Sequence, residues 1–250
     1  GVGSPRRLHP PDGTAAVRAR ADGRVLLAFL PFGHAIYPQI GMGLLQAGLR
    51  EAGIPCDVRY FNLDFLERFV RGSAADAYAV YHELATLWEY YYPAEAIFSR
   101  VLFPEHERRA RGAIAAAPPG RARDELVHLW DRGAEFLAHC LESVAWDRYR
   151  VVAFSSMFNQ NLGTLALAAE LERRHPHLSI VVGGANAEGV SGEALVRAFP
   201  QVDYVLSGDS DLTFPRLVRA ILDEAPVPVL PGLVRRSASG VVRFPSAPVE

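Results

Sequence analysis

The 250-residue chain sets 26 basic residues, all of them Arg, against 28 acidic ones for a formal net charge of −2, with half its residues hydrophobic and 22% charged. That balance is ordinary for a soluble globular enzyme or binding module and leaves no electrostatic footprint for nucleic acid, while the lack of lysine excludes P-loop, Schiff-base and lysine-base chemistry. The two cysteines, Cys56 and Cys140, form no metal-spaced pair, so neither an iron–sulfur cluster nor a structural zinc is expected from this chain alone, and no metal-ligating residues are assigned.

No apolar run approaches the roughly eighteen residues of a membrane span, and no signal-peptide core opens the chain; a cytoplasmic protein with no membrane partner is expected. The start, Gly1-Val2-Gly3-Ser4, lacks an initiator Met and reads as a processed end, an engineered junction or a fragment boundary. Residues 1–23, rich in Pro, Arg and Gly, are expected to be disordered or extended. The first buried strand is expected over Arg24–Leu30, broken by Pro31-Phe32-Gly33. Ile40–Ala52 reads as a helix with Leu44, Leu45 and Leu49 on its apolar side and Gly53 as its cap. A second strand over Asp57–Leu63 completes a βαβ unit.

From Phe65 to Trp146 the pattern turns helical. Tyr78, Tyr81, Leu84, Trp88 and Tyr91 recur at three- and four-residue spacing, and a second stripe runs through Leu126, Leu129, Trp130, Phe136, Leu137 and Leu141. About eighty residues is too long for a simple connection, so 65–146 is expected to be an inserted helical subdomain whose aromatics are core. The run Val151–Phe154 then forms a strand buried on both faces, ending in the polar cluster Ser155, Ser156, Asn159, Gln160 and Asn161. A helix over Leu162–His175 follows, then a strand over Leu178–Val182 ending in Gly183-Gly184-Ala185-Asn186. A short helix (Glu193–Phe199), a strand (Val202–Leu206) ending in Ser207-Gly208-Asp209-Ser210-Asp211, and a helix (Phe214–Leu222) come next. Residues 232–250 read as a hairpin or edge ribbon and linker.

Strands alternating with helices predict an α/β fold: a doubly wound, five-stranded parallel sheet of flavodoxin-like (Rossmann-like) order 2-1-3-4-5, built from 24–64 and 147–231. In that order the loops Pro31–Tyr37 and Ser155–Asn161 flank the switch-point crevice, and the two later strand ends extend it, so all four are expected to converge on one site. Gly183-Gly184 lets backbone approach a ligand, or is a plain tight turn. The neutral cluster after Phe154 suits amide- or hydroxyl-bearing ligands better than polyphosphate, and one of its asparagines is a candidate helix cap. Asp209 and Asp211 could bind a metal, hold ligand hydroxyls or stand as exposed loop carboxylates. His34 reads as a solvated surface histidine on a site loop. Gly41-Met42-Gly43 lacks the third glycine of a dinucleotide fingerprint, and no Gly-x-Ser-x-Gly elbow surrounds Ser155 or Ser156.

The set Phe154–Asn161, Gly183–Asn186 and Ser207–Asp211 before Phe214-Pro215, with Pro38–Leu45 and Phe61–Asp64, resembles the N-terminal cobalamin-binding half of cobalamin-dependent radical SAM proteins, in particular those that C-methylate ribosomally made peptides. The resemblance implies a corrinoid whose nucleotide tail enters the sheet crevice: Phe32, Gly33 and Tyr37 at its first loop, Ser155, Ser156 and Gln160 near the tail, Phe158 and Asn159 toward the corrin's lower face, and Gly183, Gly184, Ala185 and Asn186 along the nucleotide. Gly208, Asp209 and Asp211 stand where the family has Gly-Glu-Gly-Glu, with Asp for Glu and Ser210 for Gly. No histidine lies in an Asp-x-His-x-x-Gly motif, consistent with a cobalt that takes no histidine from this loop. No Cys-x-x-x-Cys-x-x-Cys is present, so the [4Fe-4S] cluster and S-adenosylmethionine are expected to belong to a downstream radical SAM domain, the partner through which a peptide substrate would be reached. This implies a fragment or isolated domain, inactive by itself. A stand-alone corrinoid-binding or sensory module is the alternative, and after it a flavodoxin-like enzyme for a nucleotide or acyl ligand with Asp209 or Asp211 in acid–base work.

Overall fold

The computed structural model describes residues 23–246; the expected extended segment 1–22 and the last four residues lie outside them. The chain runs β1 (Arg24–Phe29), α1 (Ile40–Glu51), β2 (Cys56–Tyr60), α2 (Phe61–Phe69), α3 (Ala74–Thr86), α4 (Tyr91–Leu102), α5 (Glu107–Ala115), α6 (Arg121–Leu129), α7 (Arg132–Glu142), β3 (Tyr149–Ser155), α8 (Asn161–Arg174), β4 (Ser179–Gly183), α9 (Val190–Ala198), β5 (Tyr204–Leu206), α10 (Thr213–Leu222), β6 (Leu233–Ser237) and β7 (Gly240–Arg243). One sheet holds all seven strands in the order β2-β1-β3-β4-β5-β6-β7. The first five are parallel in the expected 2-1-3-4-5 order. The expected count of five is corrected upward by β6 and β7, an antiparallel ribbon that hydrogen-bonds onto β5 and so widens the sheet.

Alternation along the strands divides the core in two. Val25, Leu27, Phe29, Val151, Ala153 and Val181 face α1 and α10 together with Met42, Leu49, Phe214 and Leu217. Leu26, Ala28, Leu30, Val152, Phe154 and Val182 face the other way, into a cluster shared with α2 through α9. The long helical run therefore has no separate core: Phe65, Tyr81, Phe98 and Phe136 are buried in the same cluster as the sheet.

β2 is shorter than expected. Phe61, Phe65 and Phe69 recur every four residues, the first two are fully buried, and burying that stripe makes 61–69 a helix where a strand was expected through Leu63. At the end of α1 the expected cap holds: Gly53 takes φ +68 and the Ile54 amide bonds back to the Leu49 carbonyl at 2.9 Å.

Candidate functional site

The carboxyl ends of β1, β3, β4 and β5 border two separate spaces, one on each face of the sheet. On the α1/α10 face lies a narrow crevice of about 40 Å³, lined by Leu27, Ala153, Ser155, Val181, Gly183 and Leu206 from the sheet and by Met42, Leu45, Ser210 and Phe214 from the helix side. Its walls follow from strand register: Leu27 pairs with Ala153 and Ala153 with Val181, three consecutive side chains on one face. Gly183 continues that face two residues beyond Val181. A Cβ there would meet the Leu206 carbonyl at an ordinary 3.5 Å, so a larger side chain would stand in the crevice mouth. Ser155 and Ser210 are the hydroxyls of an otherwise apolar lining.

On the other face lies a wider cavity of about 580 Å³ between α4, the β3 and β4 loops and α9. Tyr91, Tyr92, Glu95, Phe158, Asn159, Asn161, Ala185 and Asn186 line one side and Ser191, Leu195 and Phe199 the other. Tyr91 and Phe158 pack with ring centroids 5.7 Å apart. Glu95 is this cavity's distinctive group. Its Oε1 accepts the amides of Asn161 and, at 3.0 Å, Leu162, the first two residues of α8. A carboxylate at a helix N-terminus satisfies donors that have no intrahelical partner. Burial nevertheless dominates and pushes the Glu95 carboxyl up to about 7, against the lowering effect of those two amides.

The sequence-selected residues divide between these spaces and the core. Phe32 turns inward: it is buried and its ring lies 5.3 Å from Phe65 and 5.7 Å from Tyr81. Gly33 is required for packing, since a Cβ would lie 2.0 Å from the Phe29 ring, and its carbonyl accepts the Tyr81 hydroxyl at 2.8 Å. Tyr37 is exposed and packs edge-on against His34, which burial and the neighbouring His82 hold below the ordinary histidine range. Half-buried, His34 corrects the expectation of a solvated surface histidine.

Ser156 and Gln160 are internal fasteners. The Ser156 amide donates to the Gly183 carbonyl at 2.8 Å, its carbonyl accepts the Asn186 amide at 3.1 Å, and its hydroxyl accepts Asn186 Nδ2 at 3.0 Å. Gln160 Nε2 donates to the Leu30 carbonyl at 2.6 Å and its Oε1 accepts the Met157 amide at 3.0 Å, joining the β1 and β3 loops. Asn159 is buried, donating Nδ2 to the Leu84 carbonyl at 2.7 Å and leaving Oδ1 without a partner. Gly184, at φ +92, has the Ser156 carbonyl 2.5 Å from where a Cβ would stand, so its glycine is set by this loop crossing.

Phe158, Asn159, Ala185 and Asn186 thus belong to the wide cavity, and Ser155, Gly183 and Gly184 to the crevice. Gly208, at φ +78, and the exposed Asp209 and Asp211 line neither space, although Ser210 between them reaches the crevice. Residues of β1, β3, β4 and β5 and of the β5–α10 turn thus meet at the crevice, while the β3 and β4 loops also reach the cavity on the other face. The helical stripe is corrected, since Tyr81 and Leu84 are buried but Trp88 is 80% exposed and Tyr91 faces the cavity.

Sequence reasoning missed Glu95, Tyr92 and Ser191 on the cavity and Met42 and Phe214 in the crevice. The two crevice residues stood on predicted helices flanking the switch point and could have been found from that placement; Glu95 has no local signature. Exposed apolar side chains ring the crevice's side of this edge: Ile36, Tyr37, Ile40 and Leu44 on the β1–α1 segment and Leu212 before α10. Among the described residues, no helix is long and apolar enough to cross a membrane.

No protein-family model matches the sequence, and no curated protein matches it. Among solved structures, the chain is similar to TsrM, a radical S-adenosylmethionine methyltransferase from Kitasatospora setae, with tryptophan substrate and the SAM analogue aza-SAM bound: identity is 15%, TM-score 0.49, and 89% of this chain and 30% of that one are covered. Against TsrM with cobalamin and a [4Fe-4S] cluster bound the values are 15%, 0.48, 92% and 30%. GanP, a glucose-galactose binding protein from Geobacillus stearothermophilus, matches at 9% identity and TM-score 0.21 over 88% of this chain and 97% of that one. The chain spans about 30% of the length of the TsrM structures.

Proposed function

We propose that this chain is the cobalamin-binding module of a radical SAM methyltransferase, and that the enzyme's substrate is a ribosomally made peptide. The observation that carries the cofactor reading is the crevice. It lies at the switch point between β1 and β3, its lining is apolar except for two serine hydroxyls, and its mouth is kept open by Gly183. That lining suits the planar, mostly apolar end of a nucleotide tail with a few hydrogen-bonding edges.

Volume adds a condition. About 40 Å³ is close to the ~30 Å³ that one water occupies, so a ring can enter only if a wall moves. α1 is the wall suited to it: only Met42 and Leu49 of its twelve residues are buried, while Ile40 and Leu44 are exposed.

In this reading Ser155 and Ser210 hold the tail, Gly183 admits it, and the apolar rim of Ile36, Tyr37, Ile40 and Leu212 covers the large ring and excludes water from it. When bound, the corrinoid supplies a carrier for a methyl group. Cleavage of S-adenosylmethionine on a [4Fe-4S] cluster belongs to a downstream radical SAM domain; the peptide substrate rests on the motif resemblance, and the cytoplasmic setting on a sequence with no apolar run of membrane-spanning length. The domain limits carry over as part of the proposal: 24–64 and 147–231 as the cofactor-binding unit, 65–146 as its insertion.

The test is direct. Purified chain mixed with hydroxocobalamin and desalted should retain one corrinoid per chain, with a visible spectrum distinct from the free cofactor. Recovery of colourless protein would overturn the proposal.

A further inference from the structure

At the amino edge of the sheet, far along the strands from the crevice, three metal-ligating side chains meet: Asp147 from the 3-10 turn Trp146–Arg148 that leads into β3, and His175 and His177 from the turn between α8 and β4. One ligand atom of each lies within 4.8 Å of the others. His175 Nδ1 stands 3.3 Å from Asp147 Oδ1. The two imidazoles are edge to face with centroids 6.0 Å apart.

Three features distinguish this cluster from an ordinary surface ion pair. First, His177 Nε2 is buried and has no hydrogen-bond partner, a cost the fold leaves uncompensated. Second, the His175 ring is seated on the buried Trp146 indole, with ring centroids 6.4 Å apart. Third, the scaffold is fixed. The His175 amide bonds to the Leu171 carbonyl at 2.7 Å and the Leu178 amide to the His175 carbonyl at 3.0 Å, so the His-Pro-His turn is pinned at both ends. Trp146 beneath it is buried, with its Nε1 donating to the Leu141 carbonyl at 3.0 Å.

We infer that Asp147, His175 and His177 form a binding site for a divalent transition metal of the zinc type, with solvent completing its coordination. Two imidazoles and one carboxylate are the donors such an ion prefers, and three protein ligands with an open position are a recurrent zinc arrangement. Bonds of about 2.1 Å set tetrahedral ligand atoms roughly 3.4 Å apart; Asp147 and His175 already stand at that spacing, and from the 4.8 Å limit no other pair has to close by more than about 1.4 Å. The bound ion would cross-link the entry of β3 to the α8–β4 turn.

The experiment uses the whole chain, stripped with a chelator and titrated with Zn2+ in competition with a chromophoric chelator. One equivalent should bind, with His177→Ala and His175→Ala each weakening it at least tenfold and Asp147→Asn weakening it less. Co2+ bound to the unmutated chain should give the intense visible absorption of a low-coordinate site. Failure to bind one equivalent, or binding that survives the double substitution His175→Ala/His177→Ala, would overturn the assignment. So would a Co2+ spectrum no stronger than that of the hydrated ion, a readout that needs no variant to fold.

Discussion

The crevice under α1 and the cavity under α4 share the ends of β3 and β4, yet they are enclosed by different means. Sheet residues whose spacing is set by the parallel ladder form much of the crevice wall, and side chains of α1 and α10 close it. The cavity is roofed by the inserted helices, and its inner wall is held by side chains: Glu95 on the α8 amides, Asn159 on the Leu84 carbonyl, Phe158 against Tyr91. Ladder-built walls keep their geometry when one side chain changes, whereas side-chain-built walls do not. A ligand that must be gripped by shape belongs in the crevice, and the cavity is the more sensitive to substitution and to pH.

Blocking one space and then the other makes the largest test of this division. Gly183→Phe should abolish corrinoid retention, because the added ring occupies the crevice mouth, while the Cβ itself is tolerated with its nearest backbone contact at an ordinary 3.5 Å. Ala194→Trp, which fills the cavity from α9, should leave retention within about twofold. The opposite pattern would move the cofactor to the cavity.

Next in size is the pH response of the cavity wall. The folded Glu95 carboxyl, at about 7, keeps its proton over a range where the unfolded one, near 4.5, has lost it. Stability should therefore be greatest below the unfolded value and fall as pH rises through about 7, by on the order of 3 kcal/mol in all. Urea unfolding between pH 5 and 8 measures this. Glu95→Gln, which cannot ionise and still offers a carbonyl to the α8 amides, should flatten the curve; an unaltered slope would place the proton elsewhere.

A smaller effect separates the two neighbouring glycines. Gly184→Ala should cost about 2 kcal/mol, from a positive φ and a carbonyl 2.5 Å from the new Cβ, and should loosen the loop crossing before it touches the crevice. Gly183→Ala should cost much less. Equal costs at the two positions would show that the loop crossing does not distinguish them.

These glycines also show what could be read in advance. The strand order, the boundaries of α1, α8, α9 and α10 to within a few residues and the Gly183-Gly184 turn were legible because these segments carry local signals: β-branched runs, helical apolar spacing, and glycine where φ or close approach demands it. Phe32 was misplaced because Pro31 and Gly33 mark a loop, while nothing local shows its ring reaching back to Phe65 and Tyr81. Ser156 and Gln160 were legible as polar residues at a strand end but not as fasteners, since their partners Gly183, Asn186 and Leu30 come from other strand ends. Glu95 was invisible for a related reason: a single carboxylate on an aromatic-rich helix acquires its role only when α4 packs across the start of α8, 66 residues later.

The two crevice hydroxyls give the finest test, because they separate a gripping wall from a merely apolar slot. Ser155 ends β3, paired with Gly183 in the ladder, and so stands at a fixed point. Ser210 lies on the β5–α10 turn, where its carbonyl accepts the Phe214 amide at 2.7 Å and the Thr213 hydroxyl at 3.4 Å, bonds that hold its backbone but leave its side chain on the crevice. Loss of one neutral hydrogen bond to a ligand is worth about 1 kcal/mol, so Ser155→Ala should weaken corrinoid binding about fivefold. Ser210→Ala should weaken it by less, because a hydroxyl on a turn yields position to its ligand more easily than one anchored in a sheet. The ratio of the two constants, from spectral titration at one pH, reads out whether the fixed wall or the mobile one carries the contact. Identical constants for both variants and the unmutated chain would mean that neither hydroxyl reaches the ligand.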